Sequence, residues 1–302
     1  MTRLGFVGTG TMGSPIAIHL AAAGHDVQVF DRSPDAMGPA LQAGATAASS
    51  AADAAAGVAV VFLSLPSPAD VEAAVIGASG VLAAEPRPTR VVDLSTSSPA
   101  VVRQLHERCA AEGVAFVDAP VSGGRVKAES GELSVMVGGS DADVTELQPI
   151  LDLFAAQVFH VGPCGAGTVA KLVNNQLFLA AAVLVQEAYV TGAAAGLDPA
   201  ALHPILRASS SAPYVALAPL LLGRDFDDVI FRLDIAAKDL TLAVDAAQEL
   251  GVDAPVTTAA LAAYRDAVRD GEGSRAFHVT LRAIEETAGL ELPPLTRTPR
   301  RS

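Results

Sequence analysis

The sequence predicts an α/β protein in which a doubly wound parallel sheet over residues 1–162 precedes an all-helical domain over residues 163–290. Three observations point there. Short β-branched runs alternate with helical stretches through the first half. A glycine-rich turn, Gly8 to Gly13, directly follows the first run, and after Gly162 the strand signal gives way to long segments of Ala, Leu and Val.

Taken in order, Leu4–Val7 reads as the first buried strand and Met12–Ala23 as the helix after it. Val27–Phe30, Val58–Leu63, Val91–Leu94 and Ala115–Val117 read as further strands, with Pro68–Val75 and Pro99–Ala111 as helices that end near Gly or Pro. This rhythm implies parallel strands joined by helical crossovers. Glu132–Val137 and Val158–Val161 are expected as strands around another helix, Ala142–Ala155. After Gly167 the chain runs to Ala195 without proline and with only Gly192 as a helix weakener, which predicts one long helix. Its greasiest stretch, Leu177–Val185, is too short to span a bilayer and is flanked by Asn174, Asn175, Gln186 and Glu187, so it is expected to be buried. Pro199–Arg207, Leu233–Leu250, Pro255–Asp270 and Arg275–Ala288 carry helical patterning, and Val229–Phe231 is the remaining strand candidate. Residues 291–302 hold prolines and arginines without apolar periodicity and are expected to form a flexible tail.

Charge and composition narrow the function classes. Lys+Arg total 20 against 33 for Asp+Glu, a net charge of −13, which repels nucleic-acid backbones and anionic lipid alike. No nucleic acid and no membrane are expected as partners. Met1 leads at once into an apolar strand without the basic and apolar regions of an export signal. Cys109 and Cys164 form neither metal spacing nor a disulfide framework, which suits a reducing cytoplasm. The histidines at 19, 25, 106, 160, 203 and 278 show no metal-ligand spacing, and no metal is expected. Cys164 reads as a packing residue and His278 as a surface position on a helix, with contact to the substrate as its alternative.

Scarcity gives a further clue. The chain has seventeen arginines but lysine only at Lys127, Lys171 and Lys238, and its sole asparagines are Asn174 and Asn175. Because a guanidinium does not give up its proton, a retained lysine is a candidate for a position where a compact, titratable amine is needed, with codon bias and chance as the plain alternatives.

Gly8-Thr9-Gly10-Thr11-Met12-Gly13 sits between the first strand and first helix, with Asp31 ending the second strand. Gly8 permits the tight turn, Gly10 lets the backbone approach a pyrophosphate, and Gly13 lets helix pack on strand. The helix N-terminus then offers N–H groups and its positive dipole end to phosphate. This predicts a Rossmann-type fold that binds a dinucleotide. Asp31 stands where a carboxylate accepts the ribose hydroxyls of NAD, while Arg32 and Ser33 leave NADP as the alternative.

Lys171 and Asn175 lie one helical turn apart and so project from one face of the long helix, where an interdomain cleft would supply polar partners and a solvated stripe is the plain alternative. Asn174 is expected to point elsewhere. Asp118-Ala119-Pro120-Val121-Ser122-Gly123-Gly124 follows a strand; Ser122 offers a hydroxyl, and the N–H groups of Gly123 and Gly124 form either an anion nest or an ordinary turn. Lys127 is expected as a solvated charge in the loop that follows. Lys238-Asp239-Leu240 lies in a later helix, with Lys238 as a functional or a surface charge.

These segments together resemble the β-hydroxyacid dehydrogenase family over nearly the full length. The resemblance rests on Gly5 to Gly13, Asp93-Leu94-Ser95-Thr96, Asp118 to Gly124, Gly165-Ala166-Gly167 leading into Lys171 to Asn175, and Lys238-Asp239-Leu240. It implies an oxidoreductase that moves a hydride between NAD(P) and a short β-hydroxy acid or its semialdehyde. Lys171 is then the general acid/base, Asn175 orients the substrate, and Ser122, Gly123 and Gly124 grip its carboxylate. Gly8, Gly10, Thr11, Met12, Gly13, Asp31 and Arg32 serve the cofactor, with Thr96 and Lys238 at its nicotinamide end and Leu65-Pro66 lining its cleft. An alcohol proton needs an acceptor while hydride leaves the same carbon, and a lysine serves once its surroundings lower its pKa. Ala276-Phe277-His278 departs from relatives that carry an aspartate before the Phe, which bears on substrate preference. Rival readings are an NADPH-dependent reductase of glyoxylate or succinic semialdehyde, and a dinucleotide sensor without turnover. The Ala-rich helices suit subunit packing, so a homodimer or homotetramer is expected; a monomer mass by light scattering would refute it.

Overall fold

A computed structural model describes residues 2–295 of the chain. They divide into two compact units that meet in sequence at Val173 and Asn174.

The first unit is built on one sheet of nine strands: β1 (Arg3–Val7), β2 (Asp26–Phe30), β3 (Thr46–Ala47), β4 (Val60–Leu63), β5 (Arg90–Asp93), β6 (Ala115–Asp118), β7 (Val121–Ser122), β8 (Leu133–Gly138) and β9 (Ala155–Gly162). The order is β3-β2-β1-β4-β5-β6-β8-β7, with β9 on β8. From β3 to β6 every pairing is parallel, and this is the 3-2-1-4-5-6 order of a dinucleotide fold. Each central strand is apolar at successive positions because both of its faces are buried. Leu4, Phe6, Val60, Phe62 and Val92 join the core on one side with Ile16, Ala17 and Leu20 of helix Gly13–Ala22. Val7, Val61, Leu63 and Val91 join the other with Val71, Val75, Val102 and Leu105 of helices Pro68–Ile76 and Pro99–Ala111. Burying each of the larger side chains is worth about 1.5–3 kcal/mol, which holds the strand ends that carry the site.

Helix starts follow a repeated local rule. Ser67 and Ser98 each accept the N–H three residues on, with Pro68 and Pro99 next to them. A hydroxyl at the N-cap satisfies an otherwise unpaired N–H, and proline at the first position loses no hydrogen bond.

The expected strands and helices of the first unit form, with ends shifted by a few residues. The β2–β4 crossover was not legible as elements: it holds a turn of 3-10 helix, helix Gly38–Gln42, β3 and helix Ala51–Ala55. Two-residue strands carry no periodicity. Lys127, expected in a loop, stands exposed on helix Gly124–Ser130.

The second unit is helical: the long helix Ala166–Ala194, which begins in the first unit, then Pro199–Arg207, Ala218–Leu221, Leu233–Glu249, Pro255–Ala267 and Leu281–Ala288. Val229–Phe231 forms no strand; the backbone bends at Ile230 and Phe231, and the next residue, Arg232, makes an isolated bridge with Ala276. By length and composition the long helix could cross a membrane. Here Leu179, Ala182, Val183, Tyr189 and Val190 face the unit's core, and the buried Gln186 donates to the His278 carbonyl and accepts from Thr280 Oγ1. Leu177–Val185 is not buried throughout as expected, since Leu177 is 70% and Leu184 60% exposed: the helix is amphipathic by position and covered on one side. The first residues of the expected tail are packed down instead. Leu292 and Leu295 are buried, and Leu292 N–H donates to Glu285 at 2.8 Å; residues 296–302 of that expectation lie outside the described ones.

His278 is not a surface residue. It is 1% exposed in a 3-10 turn, Phe277–Thr280, with its ring 5.3 Å from that of Phe226. Burial pushes its imidazole below the ordinary value of 6.5, against smaller opposing pulls from Asp225 and Asp228. A folded pKa below the unfolded one means the unfolded chain binds more protons as pH falls, so this contribution is full above about 6.5 and lost as pH drops towards the folded value. His203, on Pro199–Arg207, shifts the same way through burial. We expect His278→Leu to lose less unfolding temperature than wild type between about pH 7 and pH 5; identical pH slopes in thermal melts would contradict this.

Candidate active site

The glycine-rich turn is shaped by contacts rather than by flexibility alone. A Cβ on Gly8 would fall 2.3 Å from the Ser64 carbonyl oxygen, and one on Gly13 would fall 1.9 Å from that of Gly8. Glycine at both positions lets β1, the β4 exit and helix Gly13–Ala22 converge. A Cβ on Gly10 would meet nothing within 4 Å. Thr11 is exposed and Met12 half-buried, and no side chain caps the helix at Met12. Open space over Gly10 beside an uncapped helix start fits a pyrophosphate.

Asp31 sits at the end of β2 and ties this turn in place: one carboxylate oxygen accepts Thr9 N–H and the other Ser33 N–H, each at 2.8 Å. Each oxygen retains a lone pair for a hydroxyl. Arg32 is 78% exposed and paired with Asp70 at 2.9 Å, directed to helix Pro68–Ile76. The loops after β4 and β5 are joined: Leu65 N–H donates to Ser95 Oγ at 2.9 Å, while Ser95 N–H donates to Asp93 at 3.0 Å. That bond sets the half-buried Leu65, the exposed Pro66 and the half-buried Thr96 beside one another at the carboxyl ends of β4 and β5.

β6 ends at Asp118, which is buried and whose two oxygens accept the N–H groups of Gly165 and Thr168 at 2.6 Å each. Burial pushes its carboxyl above the usual range, and those N–H bonds partly offset this. The acid thus pins the start of the long helix to the strand that leads into Ser122. Ser122 pairs with Ser134 across β7 and β8; Gly123 and Gly124 follow with φ of 135° and 68°, a geometry that side chains resist, and stand exposed where helix Gly124–Ser130 begins.

Lys171 is half-buried one turn along the long helix from the pinned end, and the buried Asn175 is one turn further. In the second unit Asn175 Nδ2 donates to Asp239 Oδ2 at 2.7 Å, and Lys238 Nζ lies 2.8 Å from Asp239 Oδ1. Asn174 does not point away as expected: its Nδ2 donates to Asn175 Oδ1 at 3.1 Å, the reach of the side chain bridging the angle that separates adjacent residues on the helix.

Sequence reasoning missed the roles of Asp118, Ser95 and Asp239. Each lies inside one of the motifs that carry the family resemblance, and each is a buried polar side chain close in sequence to a residue of the expected site. Cys164 packs on the core as expected, and burial pushes its thiol up to about 12. No group of three or more metal-ligating side chains occurs among the described residues.

The chain matches the NAD binding domain of 6-phosphogluconate dehydrogenase over residues 3–162. Residues 165–284 match the NAD-binding domain of NADP-dependent 3-hydroxyisobutyrate dehydrogenase. It is 36% identical to the NAD-dependent L-serine dehydrogenase of Pseudomonas aeruginosa, covering 96% of this chain and 100% of that one. With the 2-(hydroxymethyl)glutarate dehydrogenase of Eubacterium barkeri it shares 34% identity, covering 96% and 97%. The structure of Mycobacterium tuberculosis 3-hydroxyisobutyrate dehydrogenase with L-serine superposes with a TM-score of 0.85 at 30% identity, over 94% of this chain and 99% of that one. With the strand order, the glycine-rich turn and the ordered motifs, these matches establish that the chain belongs to the β-hydroxyacid dehydrogenase family, NAD(P)-dependent oxidoreductases that act on CH–OH groups.

Proposed function

We propose that this enzyme oxidises a 2-substituted 3-hydroxypropionate to its semialdehyde with NAD, and that Lys171 is its general acid/base. The observation that carries the reading is the Asp118 pin, which fixes the start of the helix bearing Lys171 to the strand that leads into Ser122, Gly123 and Gly124. L-serine, 2-(hydroxymethyl)glutarate and 3-hydroxyisobutyrate, named for the three relatives, all place a primary alcohol one carbon beyond the carbon that bears a carboxylate.

Ser122 Oγ and the N–H groups of Gly123 and Gly124 hold the carboxylate, and Asn175 donates to a substrate oxygen. Lys171, as the neutral amine, takes the hydroxyl proton while the C–H electron pair leaves as hydride; as the ammonium it returns that proton to the carbonyl oxygen in reduction. Bound NAD supplies the hydride acceptor. Gly8, Gly10, Thr11, Met12 and Gly13 cradle its pyrophosphate, Asp31 accepts its ribose hydroxyls, and Leu65, Pro66, Thr96 and Lys238 serve its remaining length. The pairing of Arg32 with Asp70 supports NAD, since a 2′-phosphate would have to win that guanidinium and face Asp31 as well.

Residues 1–162 act as the dinucleotide-binding domain and 163–290 as the substrate and dimerisation domain of a cytoplasmic homodimer or homotetramer. Exposed Leu177, Leu184, Ile205 and Val256 support the subunit contact. The net charge of −13 supports the absence of nucleic-acid and membrane partners.

Initial rates with NAD and NADP across serine, 3-hydroxyisobutyrate, 3-hydroxypropionate, glycerate, threonate and 4-hydroxybutyrate test the reading. Expected are a kcat/KM at least about tenfold higher with NAD and a preference for a 3-hydroxy acid. A preference for NADP with 4-hydroxybutyrate would replace it by the semialdehyde-reductase reading.

A further inference from the structure

Asp239 has no role in the chemistry set out above, yet it is 2% exposed and carries two polar partners. Its helix, Leu233–Glu249, also buries Ala236, Ala237 and Leu240, so Asp239 is withdrawn from water with the apolar residues of that helix. A carboxylate in such a place is stable only when its oxygens are paired. Lys238 Nζ lies 2.8 Å from Oδ1, an ion pair without hydrogen-bond geometry, and Asn175 Nδ2 donates to Oδ2 at 2.7 Å.

The pairing decides which way the Asn175 amide faces. An ionised carboxylate only accepts, so the Asn175 atom directed at it is the nitrogen. Asn174 Nδ2 then meets Asn175 Oδ1 at 3.1 Å. With its oxygen held on one side and one N–H on the other, Asn175 has a single N–H left to offer. That N–H suits an acceptor oxygen on a ligand, and a flipped amide would turn its oxygen towards the same place and repel it.

We propose that Asp239 is a positioning residue, which sets the Asn175 amide so that it donates to the substrate and joins Asn175 to Lys238 through one carboxylate. This rests on the reading that Asn175 receives the substrate. Lys238 sets the polarity of the pair. It presents only donors, so the Asp239 position must accept on both sides. An asparagine there would have to choose: its NH2 faces either the Lys238 ammonium or the Asn175 NH2, and the second arrangement flips Asn175.

A double-mutant cycle in kcat/KM tests this, with wild type, Asp239→Asn, Asn175→Ala and the double variant assayed with NAD and the best hydroxy acid. Asp239→Asn alone is expected to lower kcat/KM by about 10- to 100-fold, the scale of a misplaced contact. In the Asn175→Ala background it is expected to cost less than about threefold, because there is no amide left to orient. Equal fold-losses in both backgrounds would overturn the proposal, showing that Asp239 acts on the fold at large. An Asn175→Ala variant with wild-type kcat/KM would instead overturn the underlying reading of Asn175, and the proposal with it. Should Asp239→Asn melt below the assay temperature, Asp239→Ser, which keeps an acceptor without the charge, replaces it in the cycle: a loss confined to the Asn175 background supports the positioning role, and equal losses in both overturn it.

Discussion

Lys171→Ala is expected to lower kcat for hydroxy-acid oxidation by about 10²- to 10⁴-fold, the range that a positioned acid/base contributes. Its affinity for NADH should stay within about threefold of wild type, since the loss falls on the transition state. The expectation comes from placement. Lys171 is half-buried on the helix whose start Asp118 fixes by two N–H bonds, so the amine is carried on a rigid element. With only three lysines in the chain and arginine otherwise preferred, no neighbouring lysine in sequence stands in for it. Stopped-flow hydride transfer and NADH fluorescence titration on the same preparation separate the two effects. A variant that turns over at a tenth of the wild-type rate or better would assign the proton to another group.

Gly13→Ala is expected to damage the cofactor arm and the fold together. The new methyl would lie 1.9 Å from the Gly8 carbonyl oxygen and 2.9 Å from the Phe6 ring, one a backbone atom and the other part of the core beneath β1. Neither yields without moving the helix off the strand. We expect a loss of about 1–3 kcal/mol in stability and a fall in NAD affinity of at least about tenfold as the pyrophosphate cradle opens. Gly10→Ala is the control, because nothing lies within 4 Å of its added methyl. There the melting temperature should hold and NAD affinity alone should fall. Thermal melts with cofactor titration of both variants check this, and a Gly13→Ala protein with wild-type stability and affinity would show that the turn does not hold the cofactor.

Most of the first unit was legible because burial on both faces leaves unbroken apolar runs in β1, β4 and β5, and because Ser-Pro pairs mark helix starts. The long helix was legible from its lack of proline, to within a residue at each end. What stayed hidden was set by tertiary contact. β3 is held by β2 and not by its own two residues. Ala276–His278 reads like part of a helix, but Phe277 and His278 are drawn into an aromatic cluster with Phe226 and Phe231 that ends the regular spacing. Leu292 looks like tail and is tied down by Glu285.

The site shows the same division. Lys171, Asn175, Ser122 and the glycine-rich turn announce themselves by spacing, since helical turns and strand-to-helix junctions are local. Asp118, Ser95 and Asp239 act across 47, 30 and 64 residues of sequence. Nothing local distinguishes a buried acid that caps a distant helix from one that faces water, and the neighbouring motif residues were the available signal.

The pH dependence of kcat/KM for alcohol oxidation, measured in wild type and in Lys171→Ala, tests the proton-transfer assignment most directly. Oxidation needs the neutral amine, so the wild-type rate should rise with pH to a plateau, and reduction should run the opposite way; in the variant the rising limb should vanish and leave a low, flat profile. A variant that keeps the wild-type limb at the wild-type midpoint would show that a different group accepts the proton.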